Sequence, residues 1–120
     1  MPKRQDPEGQ LQRACCDLLQ QYENMGRLLY FAVPNAAKRG PALAAKLKRE
    51  GLRAGVPDLV VLTFGRATFL ELKAGKNDLQ KNQEEWRDKL TEKGFSWACI
   101  RSLDDLKHTL GIILQGGTFK

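Results

Sequence analysis

Residues 55–73 read GVPDLVVLTFGRATFLELK, two short aliphatic and β-branched runs on either side of a Gly65-Arg66 pair. Val60, Val61 and Leu62 precede the pair, and Thr68, Phe69 and Leu70 follow it. Such residues suit a pleated surface and glycine supplies a turn, so the stretch is expected to be strand, turn, strand. With Gly65-Arg66 as a two-residue loop, Phe64 faces Ala67, Val60 faces Glu71 and Asp58 faces Lys73. Opposed residues share a face, and side chains alternate with a period of two. Asp58, Glu71 and Lys73 therefore project from one face, with the two carboxylates as diagonal neighbours. A four-residue loop keeps this parity, whereas a three-residue loop breaks it.

Two carboxylates and an ammonium are poor material for a core, because buried charges cost several kcal/mol unless paired or bound to a metal. They are good material for holding a hard divalent cation. Mg²⁺ takes carboxylate oxygens at about 2.1 Å and fills its other positions with water and phosphate oxygens. A lysine beside it could position one of those waters or help to deprotonate it. The plainer alternative is a solvent-facing strand pair with an ordinary salt bridge, since Asp/Glu-x-Lys/Arg is common on strands.

The chain has 120 residues, enough for one domain with a modest core, so residues 1–120 are expected to form a single unit with tails at 1–5 and 115–120. Lys and Arg number 20 against 14 Asp and Glu, a formal charge of +6. Most of the excess lies between Lys38 and Arg53. Lys38, Arg39, Lys46, Lys48, Arg49 and Arg53 face a single acid, Glu50, for a net +5. A local excess of this kind suits a polyanion, nucleic acid above all, although a solvated helical face would look the same. Three cysteines, two of them adjacent, give neither a disulfide framework nor a zinc spacing. Cys15 and Cys99 fall at apolar-patterned positions and are expected in the core. Without a signal peptide or a long apolar run, no membrane is expected, and the cytoplasm is the expected compartment.

Asp6-Pro7 starts the first helix, with Leu11, Cys15, Leu18, Leu19 and Tyr22 along its buried face. Glu8 sits in the first turn, where the helix dipole favours an acid in any case. Leu28–Val33 is expected as a strand that stops at Pro34-Asn35. Gly40-Pro41 opens a short helix ending at Gly51, with Leu43 and Leu47 inward and Lys46, Lys48 and Arg49 outward. Asn35, Lys38 and Arg39, in the loop before it, are candidate phosphate contacts together with Lys46, Arg49 and Arg53. After the hairpin, Asp78 is expected to cap a helix whose inward positions are Leu79, Gln83, Trp86 and Leu90. Gln83 stands where an apolar residue belongs, and a buried amide needs either a structural partner or an active site. Phe95, Trp97 and Cys99 alternate along a fourth strand. Ser102 caps a last helix with Asp105 three residues on and Leu103, Leu106, Leu110 and Ile113 inward, while His108 points to solvent. This order reads as α/β, a small mixed sheet flanked by helices.

GVPD, strand, turn, strand and ELK in that order resemble the PD-(D/E)xK nuclease signature. AGVPDLVVL, FLELKAGKNDLQKNQEEW and the flanking VPNAAKRG, LKREGLRAGVPD and WACIRSLDD are similar to its VRR-NUC (virus-type replication-repair nuclease) branch, over nearly the whole chain. The resemblance implies a restriction-endonuclease-like αβββαβ core and a metal-dependent endonuclease acting on DNA. It implies Mg²⁺ or Mn²⁺ held by Asp58, Glu71, the Leu72 carbonyl and Glu8. It further implies Lys73 positioning the attacking water, Gln83 beside the catalytic strands, and 5′-phosphate and 3′-hydroxyl products. Family members consisting of this domain alone tend to be phage or bacterial proteins, some resembling four-way (Holliday) junction resolvases. Structure-directed cleavage of branched DNA is therefore expected, with no organic cofactor, in a bacterium or a phage-infected cell. One site cuts one strand, so paired cuts call for a homodimer. No zinc finger, helix-turn-helix signature or aromatic stacking platform is visible, which favours reading of DNA shape over sequence. Two alternatives stay open: a non-catalytic nucleic-acid-binding module, and a partner-dependent nuclease subunit acting on flaps or nicks. Retention of all three charged residues counts against the first.

Overall fold

The computed structural model describes residues 6–34 and 40–116. Eight elements follow in order: α1 (Pro7–Asn24), β1 (Leu29–Ala32), α2 (Pro41–Arg49), β2 (Leu59–Thr63), β3 (Arg66–Leu72), α3 (Lys81–Glu92), β4 (Ser96–Ile100) and α4 (Leu103–Ile113). The four strands form one sheet in the order β1-β2-β3-β4. The first three pair antiparallel, and β3 and β4 pair parallel with α3 as the crossover. This is the expected small mixed α/β sheet. The helix starts at Asp6 and Ser102 are also as expected. Asp6 accepts from the Gly9 N–H at 3.1 Å and Ser102 from the Asp105 N–H at 3.1 Å.

The hairpin register differs from the expectation by two residues. Thr63 pairs with Arg66 and Leu62 with Ala67, so the loop is Phe64-Gly65 and not Gly65-Arg66. Gly65 takes the second loop position with φ +73°, and no described residue other than glycine has positive φ. Glycine enters that region at little cost and a residue with a Cβ does not, which places the loop one residue earlier. Leu59 pairs with Leu70 and the Asp58 N–H donates to the Leu70 carbonyl at 2.9 Å, so Asp58 comes opposite Glu71. A shift of two preserves parity, and the three charged residues still share a face.

That parity divides the molecule. On one face Leu59, Val61, Leu70, Leu72, Ala98 and Ile100 pack against Cys15 and Leu19 of α1 and Leu106, Leu110 and Ile113 of α4. Each aliphatic side chain buried there contributes about 1.5–3 kcal/mol. Burial also pushes the Cys15 thiol up to about 11, so it behaves as a small apolar residue. The other face carries Val60, Phe69 and Trp97, with α3 lying over the β3–β4 half. Phe69 and Phe95 meet edge to face, centroids 5.7 Å apart. Over β1 the same face stays open, leaving Leu29 59% and Phe31 51% exposed.

Four local expectations give way. Gln80, not Asp78, is the N-cap of α3, because its N–H donates to Gln83 Oε1 at 2.8 Å and the helix begins one residue later. Helix α2 buries no residue, and Leu43 is 43% exposed rather than inward, because no other described element packs closely on it. Leu103 is likewise 37% exposed at the start of α4. Cys99 is only half-buried, because its strand parity turns it to the less covered face.

Candidate active site

The last residues of strand β3 alternate between two purposes. Leu70 and Leu72 point into the sealed core, while Glu71 and Lys73 point to the opposite face, at the end of the strand where pairing stops. Their side of the sheet opens into a cleft of about 560 Å³. Glu8, Asp58, Glu71, Leu72, Lys73 and Gln83 all line it, so α1, the residue before β2, the end of β3 and α3 converge there. Every residue expected at the metal or catalytic centre is thus brought together. Arg53 also lines the cleft. Lys46 and Arg49 lie on exposed α2, with Lys46 ion-paired to Glu50 at 3.2 Å. Asn35, Lys38 and Arg39 lie outside the described residues.

Glu71 and Lys73 are 2% and 6% exposed, unusual values for charged side chains. Asp58 Oδ2 accepts the Leu72 N–H at 2.7 Å, which fixes that carboxylate against the backbone of the strand carrying Glu71. The Glu71 carboxyl is pushed from 4.5 up to about 10. Burial is the main cause, followed by a hydrogen bond to Asp58 and its charge, with Glu8 adding to the rise and Lys73 opposing it. A carboxylate beside it favours the protonated form of Glu71.

Glu71 Oε1 is buried and has no hydrogen-bond partner. An orphaned acceptor in such a place loses its hydration without replacement, and a cation would restore it. Among the described residues no group of three or more His, Cys, Asp or Glu side chains is arranged to hold a metal ion by itself. The donors present suit an ion that keeps several waters and takes only one or two protein carboxylates, as Mg²⁺ does. Asp58, Glu71 and Glu8, which line the cleft, are oxygen donors of the kind such an ion takes.

Sequence reading missed Asn82. Its side chain lines the cleft and its Oδ1 is a second buried acceptor without a partner. It packs on Gly55, where φ is +81° and a Cβ would meet Asn82 atoms at 2.8–2.9 Å. Only glycine allows that approach, so Gly55 of GVPD sets α3 against the site. The glycine was a visible signal, but its partner 27 residues on was not. Arg101 was missed as well. Its guanidinium donates to the Gly75 and Asn77 carbonyls at 3.1 and 2.8 Å, tying down the loop that follows Lys73.

The sequence model of the VRR-NUC domain family matches residues 6–104. A solved structure described as a VRR_NUC domain protein superposes with a TM-score of 0.71 at 20% identity, covering 98% of this chain and 96% of that one. A second, described as a VRR_NUC domain, gives 0.63 at 20% identity, covering 89% and 97%. No curated protein matches the chain. At such identity the structures speak for the fold, while the family match spans most of the sequence. The chain belongs to the VRR-NUC domain family, a nuclease-like family whose substrate is nucleic acid.

Proposed function

We propose that the protein is a divalent-metal-dependent, structure-directed DNA endonuclease. The observation that carries this reading is the buried, unpartnered oxygen of Glu71 beside Asp58, with Lys73 two residues along the same face. Asp58, Glu71, the Leu72 carbonyl and Glu8 would hold Mg²⁺ or Mn²⁺. When bound, the ion would polarise the scissile phosphate and offset the charge developing on it.

The chain's own groups supply the rest. Lys73, locked in a buried position, donates a hydrogen bond to the attacking water and orients it. The water oxygen bonds to phosphorus and gives up a proton to solvent as the bond to the 3′ oxygen breaks, and that oxygen takes up a proton from solvent, leaving a 5′-phosphate and a 3′-hydroxyl. Gln83 commits its carbonyl oxygen to the helix cap, which leaves its amide N–H donors for a phosphate oxygen. Arg53 at the cleft, and Lys46 and Arg49 on α2, contact the phosphates beyond it.

Paired cuts on a four-way junction require two such sites. A homodimer provides them, and the exposed Leu29, Phe31 and Phe64 offer apolar surface for one. Sedimentation should then give about twice 13.5 kDa. No helix among the described residues is long and apolar enough to cross a membrane, and the three cysteines are free thiols, as suits a reducing cytoplasm.

Cleavage of flap, fork, four-way junction and linear DNA, with Mg²⁺, Mn²⁺ or EDTA, tests the reading. Metal-dependent cuts on branched DNA are expected. Binding without cleavage on every substrate would instead mean a non-catalytic module, or a subunit that needs a partner.

A further inference from the structure

We propose that the apolar pocket beside the cleft receives one unpaired nucleobase of the strand being cut. The proposal rests on the nuclease reading and names its substrate class: DNA with an unstacked nucleotide next to the scissile phosphate.

The pocket holds about 270 Å³ between the sheet and α3, walled by Leu52, Val56, Pro57, Phe69, Trp86 and Leu90. It adjoins the cleft, since Val33, Arg53 and Val56 line both. Sites for drug-sized ligands run from about 300 Å³ upward, so this one has room for a single planar ring system and none for a duplex. Trp86 is held rigidly, its indole N–H donating to the Ala54 carbonyl at 3.0 Å. The Arg53 guanidinium lies 4.7 Å from the centre of that ring and Lys89 Nζ 5.5 Å from it.

Aromatic and aliphatic walls with two cations over the Trp86 ring match the two halves of a nucleotide. The base stacks on aromatic rings and guanidinium planes, and the phosphate meets the positive charge. An apolar peptide side chain or acyl chain would use the walls and gain nothing from the charge of either cation. Walls whose only polar side chain is Arg53 have little with which to tell one base from another, so the pocket accepts any base and selects for its being unpaired. A base inside a duplex must first be unstacked and unpaired at a cost of a few kcal/mol, whereas one at a flap, nick or junction is already released. Selection by structure then needs no sequence-reading element.

The test is binding in EDTA, where no cleavage can interfere. The probes are a single strand carrying one 2-aminopurine, a fluorescent base sensitive to stacking, and a blunt duplex of equal length. The wild-type protein should quench the 2-aminopurine. Trp86→Leu should bind the single strand about tenfold more weakly, the scale of one missing base–aromatic stack. Its duplex affinity should change much less. Leu52→Gln, which adds a polar wall without altering charge, should lower the single-strand to duplex affinity ratio in the same direction by about threefold, and carries the test if Trp86→Leu does not fold. Equal losses on both probes, or unquenched 2-aminopurine with the wild-type protein, would overturn the proposal. So would conversion of a dimer to a monomer by either variant, which would make the pocket a seat for a second copy. Selective binding by a protein that never cleaves would retain the pocket and remove the nuclease reading.

Discussion

The two faces of the sheet are made from alternate residues of the same strands, yet they obey opposite rules. Toward α1 and α4, Leu59, Val61, Leu70 and Ile100 are fully buried, and nothing charged comes between them. Toward α3 the same strands present Glu71 and Lys73, both nearly as inaccessible as the leucines. The first face yields stability, and the second stores an unfavourable arrangement that a ligand would relieve. Alternation lets the two coexist within four residues, Leu70 to Lys73, so each face can be disturbed with little effect on the other.

The sharpest separation should come from Glu71→Gln and Asp58→Asn, which keep volume and remove an anionic ligand. Both should abolish cleavage and weaken Mg²⁺ binding in calorimetry while far-ultraviolet circular dichroism stays unchanged. Near-normal activity in either would remove the carboxylates from the mechanism. Lys73→Ala should lower the single-turnover rate by roughly two to four orders of magnitude, with DNA affinity largely kept. If binding falls instead, Lys73 is a phosphate contact.

Leu70→Ala reverses the comparison. It opens a cavity in the sealed face and should cost about 2–5 kcal/mol in denaturant unfolding, while residual folded protein cuts at the normal rate. A defect in catalysis larger than the loss of folded protein would show that the two faces are coupled.

A smaller effect follows from the proton on Glu71. The fold holds it up to about 10, whereas the unfolded chain releases it near 4.5. Between those values the unfolded state binds fewer protons. The metal-free protein should therefore be most stable, as far as this group is concerned, below about pH 4.5, and lose stability as pH rises toward 10. Thermal unfolding in EDTA at pH 5 and pH 8 should show the fall, and Glu71→Gln should flatten it. Adding Mg²⁺ at pH 8 should raise the wild-type unfolding temperature more than that of Glu71→Gln. The smallest change is expected from α2. Neutralising Lys46 and Arg49 should weaken every DNA alike and lower the salt slope by about 0.9 for each phosphate that the protein no longer neutralises. Lys46, already paired with Glu50, should count for less than Arg49.

The sequence by itself determined the order of elements, the inward stripes of α1 and α4, and the common face of Asp58, Glu71 and Lys73. Periods of 2 and 3.6 are local properties, and parity survives a slip of two residues. It left the register open, because the loop residue was decided by which position required positive φ, and Gly65 rather than Arg66 meets that need only at the second place. Tertiary structure alone decided that Asp58 would face Glu71 and leave one of its oxygens unpartnered. It alone brought Asn82 onto Gly55 and Arg101 onto the loop after Lys73. The apolar pocket was illegible for the same reason. Leu52, Pro57, Phe69, Trp86 and Leu90 come from a loop, a strand and a helix, far apart along the chain. Concavity belongs to the packing of elements, and no periodicity along the chain encodes it.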